Sequence, residues 1–128
     1  MTMIHYKCAN LVHMKDGKLL LVKVRENEHY YLPGGKIEAG EDDRTSLERE
    51  LREELSLQLD KENMMYLYTV TGPAYPDTDK TVELRCYRYA DDIGEIHMNS
   101  VITDVKYIYF NKKEKIDPIL NKLIEAYL

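Results

Sequence analysis

Leucines recur at helical spacing in LERELREELSL, residues 47–57 of the chain. Leu47, Leu51 and Leu55 fall at positions i, i+4 and i+8, so they predict a single apolar stripe along an α-helix. The aspartate pair Asp42-Asp43, directly upstream, can cap the start of this helix. The pattern therefore predicts a helix that begins at one of these aspartates, ends near Leu55 and turns its leucines to a core.

Three glutamates, Glu50, Glu53 and Glu54, lie beside that stripe, within about 100° of one another around the helix axis. Like charges three or four residues apart each cost a few tenths of a kcal/mol on a bare helix. The remaining i±4 neighbours of Glu50 and Glu54 are Ser46 and Gln58, which carry no charge. The repulsion is left for something outside the helix to neutralise, and both a hard divalent cation and a solvated acidic face fit the helix at this point.

A loop with demanding backbone geometry is predicted just before the helix, in YYLPGGKIEAG, residues 30–40, because this stretch contains one proline and three glycines. The pair Gly34-Gly35 lets the main chain approach a ligand closely or present a bare carbonyl to a metal. Lys36 adds a charge that can meet a phosphate. A tight turn is the simpler interpretation of a Gly-Gly pair by itself. The number of residues between this loop and the helix decides between a turn and a ligand-binding loop.

Strand-forming residues dominate five further stretches, and turn residues separate them. Asp16-Gly17 favours a hairpin turn between the first two stretches, and residues 72–80 (GPAYPDTDK) are predicted to form a loop between the next two. Asp117-Pro118 predicts the start of a second helix. The order of elements predicts an α/β fold, a mixed sheet with packed helices, in a single domain spanning residues 1–128. The predicted strands are 6–13, 18–25, 64–71, 81–90 and 104–110.

Composition excludes several classes of protein. With 128 residues, 44% hydrophobic and 32% charged, the chain resembles a soluble globular domain. It contains no apolar run long enough for a signal peptide or for the ~20 residues of a membrane span, which predicts a cytoplasmic protein without a membrane partner. A net charge of −5 disfavours a nucleic-acid polymer as partner. Cys8 and Cys86 lack metal-ligand spacing and are predicted to be reduced and buried.

The spacing between loop and helix identifies a longer motif. Gly35 is followed after five residues by Glu41, and after seven more by REL-R-EEL-S-L, residues 49–57. This resembles the signature of the Nudix hydrolase family, G-x5-E-x7-R-E-U-x-E-E-x-G-U with U a bulky aliphatic residue, and eight of its nine specified positions match. The resemblance implies the α/β/α sandwich of that family, built around a mixed sheet and covering nearly the whole chain.

The one position that departs from the signature is Ser56, which stands where the family has glycine. Glycine there often closes a helix in the left-handed conformation. Serine in that conformation costs roughly 0.5–1 kcal/mol, so the departure bears on the end of the helix and not on its carboxylates.

The resemblance also implies a reaction, the hydrolysis of a nucleoside diphosphate linked to another moiety by water that attacks a phosphorus atom. It implies Mg²⁺ as cofactor, with Mn²⁺ as a substitute, held mainly by Glu53 and Glu54 and further by the Gly35 carbonyl. Glu50 is implied as a ligand or as the base that activates water, and Arg49 as the residue that orients the glutamates. The assignment of the base among the glutamates stays open, because the family places it differently among its members.

Four more residues are predicted to contribute. Glu41 can hydrogen-bond within the site or support a second metal. Asp104 begins a segment that resembles the late acidic-to-aromatic segment of the family, so the resemblance implies that it can reach the metal site, although an aspartate at a strand end is as often structural. Lys36 and Tyr31 are predicted to contact substrate, the lysine through phosphate and the tyrosine by stacking on a base.

The predicted substrate is a small nucleotide. A nucleoside triphosphate or its oxidised form is favoured because the chain is a minimal domain without an added substrate module, which is an argument by family analogy. ADP-ribose or a nucleotide sugar is the alternative. A catalytically idle nucleotide sensor is a further alternative, although the retained motif glutamates speak against it. A homodimer is compatible with the sequence.

Overall fold

The computed structural model describes residues 3–24, 29–74, 77–109, 120 and 124. Along these residues the chain forms strands, the helix α1 and a short 3₁₀ turn. The strands are β1 (Tyr6–Val12), β2 (Met14–Lys15), β3 (Lys18–Val24), β4 (Gly34–Lys36), β5 (Met65–Ala74), β6 (Asp77–Arg88) and β7 (Ile102–Tyr109), with α1 at Asp43–Leu55 and the 3₁₀ turn at Lys61–Asn63.

The strands form two sheets. The first has the order β4-β1-β6-β5, and in it β1 and β6 run parallel while the other neighbours are antiparallel. The second has the order β2-β3-β7 and is antiparallel throughout. The predicted mixed sheet is therefore present, accompanied by an antiparallel sheet. No helix in the described ranges is long and apolar enough to span a membrane.

The Asp16-Gly17 turn forms as predicted, but the strand before it is much shorter than the predicted one. Both residues have positive φ, 53° and 75°, as a two-residue hairpin turn requires. The turn connects the two-residue strand β2 to β3, whereas β1 belongs to the other sheet. The chain changes sheets at His13, whose carbonyl accepts a 2.9 Å bond from the Leu20 amide.

The apolar stripe of α1 is confirmed. Leu47, Leu51 and Leu55 have no exposed surface and pack in one core cluster with residues of both sheets. A second cluster fills the other side of the four-stranded sheet and includes Leu120, while Ile124 packs against it. The helix predicted to start at Asp117-Pro118 lies outside the described residues except for these last two, which are both helical. The first cluster also contains Ala9, Leu11, Leu20, Val22, Leu57, Leu59, Met64, Tyr87, Tyr89, Ile93 and Ile102.

The loop predicted at residues 72–80 is largely strand. β5 continues to Ala74 and β6 already begins at Asp77, with Pro73 opposite Thr81. The composition of the stretch misled the prediction, because proline is tolerated in a strand at the edge of a sheet, and β5 is an edge strand here.

The loop predicted at residues 30–40 also contains a strand, β4, which pairs with β1. Gly34 lies opposite Asn10 with φ +133°, and a Cβ atom at Gly34 would lie 2.2 Å from the Ala9 carbonyl oxygen. The glycine pair thus serves a close approach of two main chains, the role that its lack of side chains allows.

Helix α1 begins and ends as its sequence predicts. Asp42 caps the start by accepting a 2.8 Å bond from the Thr45 amide. Ser56 closes the end in the left-handed conformation, at φ 58° and ψ 28°, and its amide donates to the Arg52 carbonyl at 3.1 Å. The chain therefore adopts with serine the conformation that favours glycine.

Ser56→Gly is expected to stabilise the protein by about 0.5–1 kcal/mol, because glycine adopts the left-handed conformation without a steric penalty. Urea unfolding in the absence of metal measures the change. Ser56→Ala is the control, and it should bring no such gain because alanine meets the same penalty. Equal stabilities for the glycine and alanine variants would contradict the argument.

Candidate active site

Arg49 lies at the centre of the acidic cluster. Its Nε and Nη2 atoms donate to the two carboxylate oxygens of Glu41 at 2.7 and 3.0 Å. Its Nη1 atom donates to Glu50 Oε1 at 3.0 Å and to Glu53 Oε2 at 3.2 Å. One guanidinium therefore holds three carboxylates in place, and planar bidentate pairing of this kind fixes geometry as well as charge.

The loop before α1 is tied into the same cluster. Arg49 Nη2 also donates to the Lys36 carbonyl at 3.3 Å, and the Ser46 hydroxyl donates to that carbonyl at 3.4 Å. Glu41 accepts a 3.0 Å bond from the Glu38 amide. The bond from Arg49, followed by that from Glu38, holds the pKa of Glu41 below its usual value, so Glu41 is ionised at neutral pH.

Gly35 makes room for the carboxylate of Glu50. A Cβ atom at Gly35 would lie 2.7 Å from Glu50 Cδ and 2.8 and 2.9 Å from its two oxygens. Gly35 pairs with Ala9 of β1, so the position of β4 beside α1 is set by the sheet. The structure thus brings together two members of the predicted site that stand fifteen residues apart in the sequence.

Glu54 carries the electrostatic strain that the sequence predicts. Burial, then a hydrogen bond with Glu50 and the charges of Glu50 and Glu53, raises the pKa of Glu54 to about 8. Because a carboxyl group ordinarily titrates near 4.3, Glu54 retains its proton at neutral pH in the metal-free protein. Only an additional positive charge would stabilise the ionised form of this group of glutamates.

The donor set fits a hard divalent cation in kind. Carboxylate and main-chain carbonyl oxygens are the ligands that Mg²⁺ prefers, and burial, followed by the neighbouring glutamates, raises the pKa of Glu54. In the described ranges, however, no group of three or more histidine, cysteine, aspartate or glutamate side chains is arranged to hold a metal ion as it stands. Arg49 bonds one carboxylate oxygen of Glu50 and one of Glu53, and the second oxygen of each lies outside these bonds.

The predicted substrate contacts have other partners in this structure. Lys36 Nζ lies 4.1 Å from the centroid of the Tyr6 ring. The main chain of Tyr31 pairs with Val22 of β3 through bonds of 2.8 and 2.7 Å. Both residues lie close to Gly35 in the sequence, and their contact with substrate remains a prediction.

Asp104 lies on β7 of the second sheet. It accepts hydrogen bonds from the Tyr30 hydroxyl and the Val105 amide, and Lys106 Nζ lies 3.4 Å from its carboxylate. The bond from Tyr30 holds the pKa of Asp104 below its usual value, and the charge of Lys106 adds to this effect. These contacts join Asp104 to the loop before β4, whereas the glutamates of α1 are gathered by Arg49.

Asp43 anchors the start of α1, a role that the sequence did not reveal. Its carboxylate accepts a 2.7 Å bond from Arg85 Nη1 and a 2.7 Å bond from the Tyr87 hydroxyl, both from β6. Burial and the bond to Asp43 raise the pKa of Tyr87 to about 12. The alternation of Glu83, Arg85 and Tyr87 along one face of a strand is the sequence signal that could have indicated such a contact.

Asn10 is a second residue that the sequence analysis passed over. Its side chain is 7% exposed, and Nδ2 donates to the carbonyls of Leu32 and Pro33 at 3.2 and 3.4 Å. Among the described residues, its Oδ1 atom has no hydrogen-bond partner. An asparagine within the apolar strand CANLV was the available signal, and its bonds hold the chain that leads into Gly34.

The prediction that both cysteines are buried is confirmed for Cys86 and not for Cys8. Both are free thiols, Cys86 being buried and Cys8 half-buried. Burial raises the pKa of Cys8 to about 11 and that of Cys86 to about 12. At neutral pH neither forms the thiolate that nucleophilic catalysis needs.

Comparison with known proteins identifies the family. The family model described as NUDIX domain matches residues 4–123, and the chain therefore belongs to the NUDIX family. The hydrolases of this family act on pyrophosphate bonds. No curated protein sequence matches the chain.

Solved structures support the same fold. The chain is similar to the ORF135 protein of E. coli, with 21% identity, a TM-score of 0.75 and coverage of 98% of this chain and 89% of that one. It is also similar to a MutT protein of Methanosarcina mazei Go1, with 17% identity, a TM-score of 0.78 and coverage of 94% and 90%. A bifunctional NMN adenylyltransferase/ADP ribose pyrophosphatase of Francisella tularensis has 20% identity and a TM-score of 0.69, with coverage of 94% of this chain and 41% of that one. The predicted α/β/α sandwich is confirmed by these neighbours.

Proposed function

We propose that this protein is a Mg²⁺-dependent pyrophosphohydrolase that cleaves the diphosphate linkage of a nucleoside diphosphate derivative. The observation that carries the proposal is the carboxylate cluster of α1, in which Arg49 binds Glu41, Glu50 and Glu53. The half-buried Glu54, whose pKa is raised by burial and by its neighbouring glutamates, belongs to the same cluster. A helix that retains such a costly carboxylate beside Glu50 and Glu53 has a use for a cation at this position. Membership of the NUDIX family supports the reaction class.

The residues of the site have distinct proposed roles. Glu53, Glu54, Glu50 and the Gly35 carbonyl would hold Mg²⁺, which when bound neutralises phosphate oxygens and favours ionisation of an attacking water. Arg49 orients Glu50 and Glu53 through its Nη1 atom. Either Glu50 or Glu53 accepts the proton of the attacking water.

Around this centre, three residues are proposed to assist. Glu41 keeps Arg49 in position through the bidentate pair, which its lowered pKa maintains at neutral pH. Lys36 binds a substrate phosphate after leaving the ring of Tyr6, and Tyr31 stacks on the base. Asp104 is the remaining candidate, and its bond with Tyr30 places it beside the same loop.

For the substrate we propose a nucleoside triphosphate, normal or oxidised. The names MutT and ADP ribose pyrophosphatase both occur among the structural neighbours, so ADP-ribose or a nucleotide sugar is the second candidate. We further propose that the protein acts on this small molecule in the cytoplasm and that it forms a homodimer.

A screen of about 5 to 10 nucleotides, roughly one from each substrate class, would test the function. Each compound is incubated with protein in excess Mg²⁺ or in EDTA, and the products are separated by chromatography: a mononucleotide and pyrophosphate from a nucleoside triphosphate, or a mononucleotide and a sugar phosphate from ADP-ribose or a nucleotide sugar. Hydrolysis of at least one compound, abolished by EDTA, is expected. Binding without turnover of any compound would instead indicate a nucleotide sensor.

Mg²⁺ itself is expected to raise the melting temperature. A cation that binds the native state stabilises it by RT ln(1 + [L]/Kd), about 1.4 kcal/mol at a tenfold excess over the dissociation constant. Differential scanning calorimetry with and without millimolar Mg²⁺ measures this shift. NaCl at matched ionic strength, free of divalent cations, controls for the screening of charges by salt. An unchanged melting temperature in both Mg²⁺ and Mn²⁺, with or without nucleotide, would contradict the proposed site.

A further inference from the structure

The segment that joins β6 to β7 crosses the C-terminal end of α1 and bonds to its last carbonyls. The His97 amide donates to the Leu55 carbonyl and the Asn99 amide to the Glu54 carbonyl, each at 2.9 Å. The side-chain Nδ2 atom of Asn99 donates to the Glu53 carbonyl at 3.2 Å. Carbonyls in the last turn of a helix have no partner within the helix, so this segment supplies partners that water would otherwise provide.

The other half of the Asn99 side chain faces β7. Its Oδ1 atom accepts bonds from the Val101 amide at 2.9 Å and from the Ile102 amide at 3.1 Å. Ile102 is the first residue of β7 and is 3% exposed, so this end of the contact is fixed in the core. The side chain of Asn99 therefore links a buried strand to the main chain of Glu53, while the main-chain amide of Asn99 donates to the Glu54 carbonyl.

We propose that Asn99 is a positioning residue for the cation-binding carboxylates. It fixes the main chain at Glu53 and Glu54 before the cation arrives, and this inference rests on the proposed function in that it takes both glutamates as ligands. The last turn needs such support, because the helix ends at Ser56 in a left-handed conformation that serine adopts at a cost. With the turn held, the cation has to order side chains but not the helix end.

The amide side chain is specific for this task. It combines a donor for the Glu53 carbonyl with an acceptor for two amides, and asparagine carries both groups on a short stem. Serine can accept from an amide in a similar turn, but its hydroxyl is too short to reach the helix as well. Alanine can do neither. Asn99→Ser therefore removes the side-chain bond to the Glu53 carbonyl while keeping a turn-forming residue, and Asn99→Ala removes that bond together with the turn. The main-chain bond to the Glu54 carbonyl is present in all three proteins.

The test measures Mn²⁺ binding without substrate. Free Mn²⁺ is followed by electron paramagnetic resonance during titration of EDTA-treated, dialysed protein at a temperature well below each melting point. Both Asn99 variants are expected to bind Mn²⁺ about 10–100-fold more weakly than the parent, the range found when a residue that orients metal ligands is removed. Thr103→Val is the matched control, since it removes one side-chain bond, from Thr103 Oγ1 to the Lys23 carbonyl at 3.1 Å, close to the same segment.

The outcomes separate the inference from the function on which it rests. Weaker Mn²⁺ binding by Asn99→Ser, with Thr103→Val within twofold of the parent, supports the positioning role. A lower melting temperature with unchanged Mn²⁺ affinity makes Asn99 merely structural and overturns the inference. Failure of the parent protein itself to bind Mn²⁺ overturns the proposed function first. Should Asn99→Ala not fold, the serine variant decides.

Discussion

Glu54→Gln is expected to lose most of the magnesium-dependent stabilisation and hydrolysis while the metal-free variant stays as stable as the parent or becomes slightly more stable. The folded protein keeps the half-buried carboxyl of Glu54 protonated beside Glu50 and Glu53, whereas the unfolded chain ionises it, and this difference lowers the stability of the parent at neutral pH. Glutamine keeps the shape without the charge. Loss of a preorganised electrostatic group from an active site lowers the rate by about 10²–10³-fold.

The measurement has two parts, thermal melting in EDTA and in Mg²⁺, and the rate of hydrolysis of the substrate found in the screen. Glu48→Gln, which removes one charge from the same helix outside the Arg49 cluster, is the control and should leave both magnesium responses close to those of the parent. If Glu54→Gln unfolds the metal-free protein while its remaining folded fraction hydrolyses at the parent rate, Glu54 is structural and the metal interpretation of α1 is wrong.

In EDTA, the stability of the parent and that of Glu54→Gln should depend differently on pH. In the folded protein Glu54 has a pKa of about 8, above the ~4.3 of a glutamate in an unfolded chain. The folded state holds this proton more tightly, so the parent in EDTA loses stability as the pH rises from about 4.3 towards 8. Glutamine does not titrate. The stability advantage of Glu54→Gln should therefore grow between pH 5 and pH 8, roughly the interval between the two pKa values.

Gly35→Ala is expected to retain the fold and lose about 10²-fold in hydrolysis, the effect of displacing a catalytic group by about 1 Å. The new Cβ atom would lie 2.7 Å from Glu50 Cδ, at the flexible end of that side chain, so the carboxylate moves and the main chain does not. Gly34→Ala meets the Ala9 carbonyl oxygen at 2.2 Å and requires φ +133°. It should therefore destabilise the protein by about 2–5 kcal/mol.

Urea unfolding and the hydrolysis assay distinguish these two adjacent substitutions. Gly17→Ala is the control for backbone strain, because its φ is +75° and a Cβ atom there meets nothing within 4 Å. It should cost about 1–2 kcal/mol and leave the rate unchanged. Parent-like hydrolysis by Gly35→Ala would show that Glu50 does not need its place against the glycine.

Local signals were sufficient for α1 and its glutamates. The leucine spacing, the capping aspartate and the charge pattern all lie within one helix, so its observed range, Asp43–Leu55, agrees with the predicted one. The contact between Arg49 and Glu41 also joins residues that are close in the sequence. By contrast, Asp43 meets Arg85 across 42 residues and Asn99 meets Glu53 across 46.

Contacts between residues so far apart in the sequence leave no local pattern. This also explains why the loops predicted at residues 72–80 and 30–40 contain strands. The strand at Pro73 exists because β6 is there to pair with it, and composition at residues 72–80 gave no sign of that partner. Likewise, Gly34-Gly35 looked like a turn or a ligand loop until β1 was placed beside it. Asn99 stands between Met98 and Ser100, and its position in the sequence follows no distinguishing spacing.

The parallel pairing of β1 with β6 joins strands that are far apart in the sequence, so it determines how late the first sheet can form. Tyr6 lies opposite Val82 in that ladder, so the two strands meet only after most of the chain has left the ribosome. Until then β1, β4 and α1 lack the central strand, and closing so long a loop is an entropic cost that precedes the contacts it permits. The glutamate-bearing helix is therefore synthesised before the strand that supports it through Asp43, so its leucines lack part of their core until β6 follows.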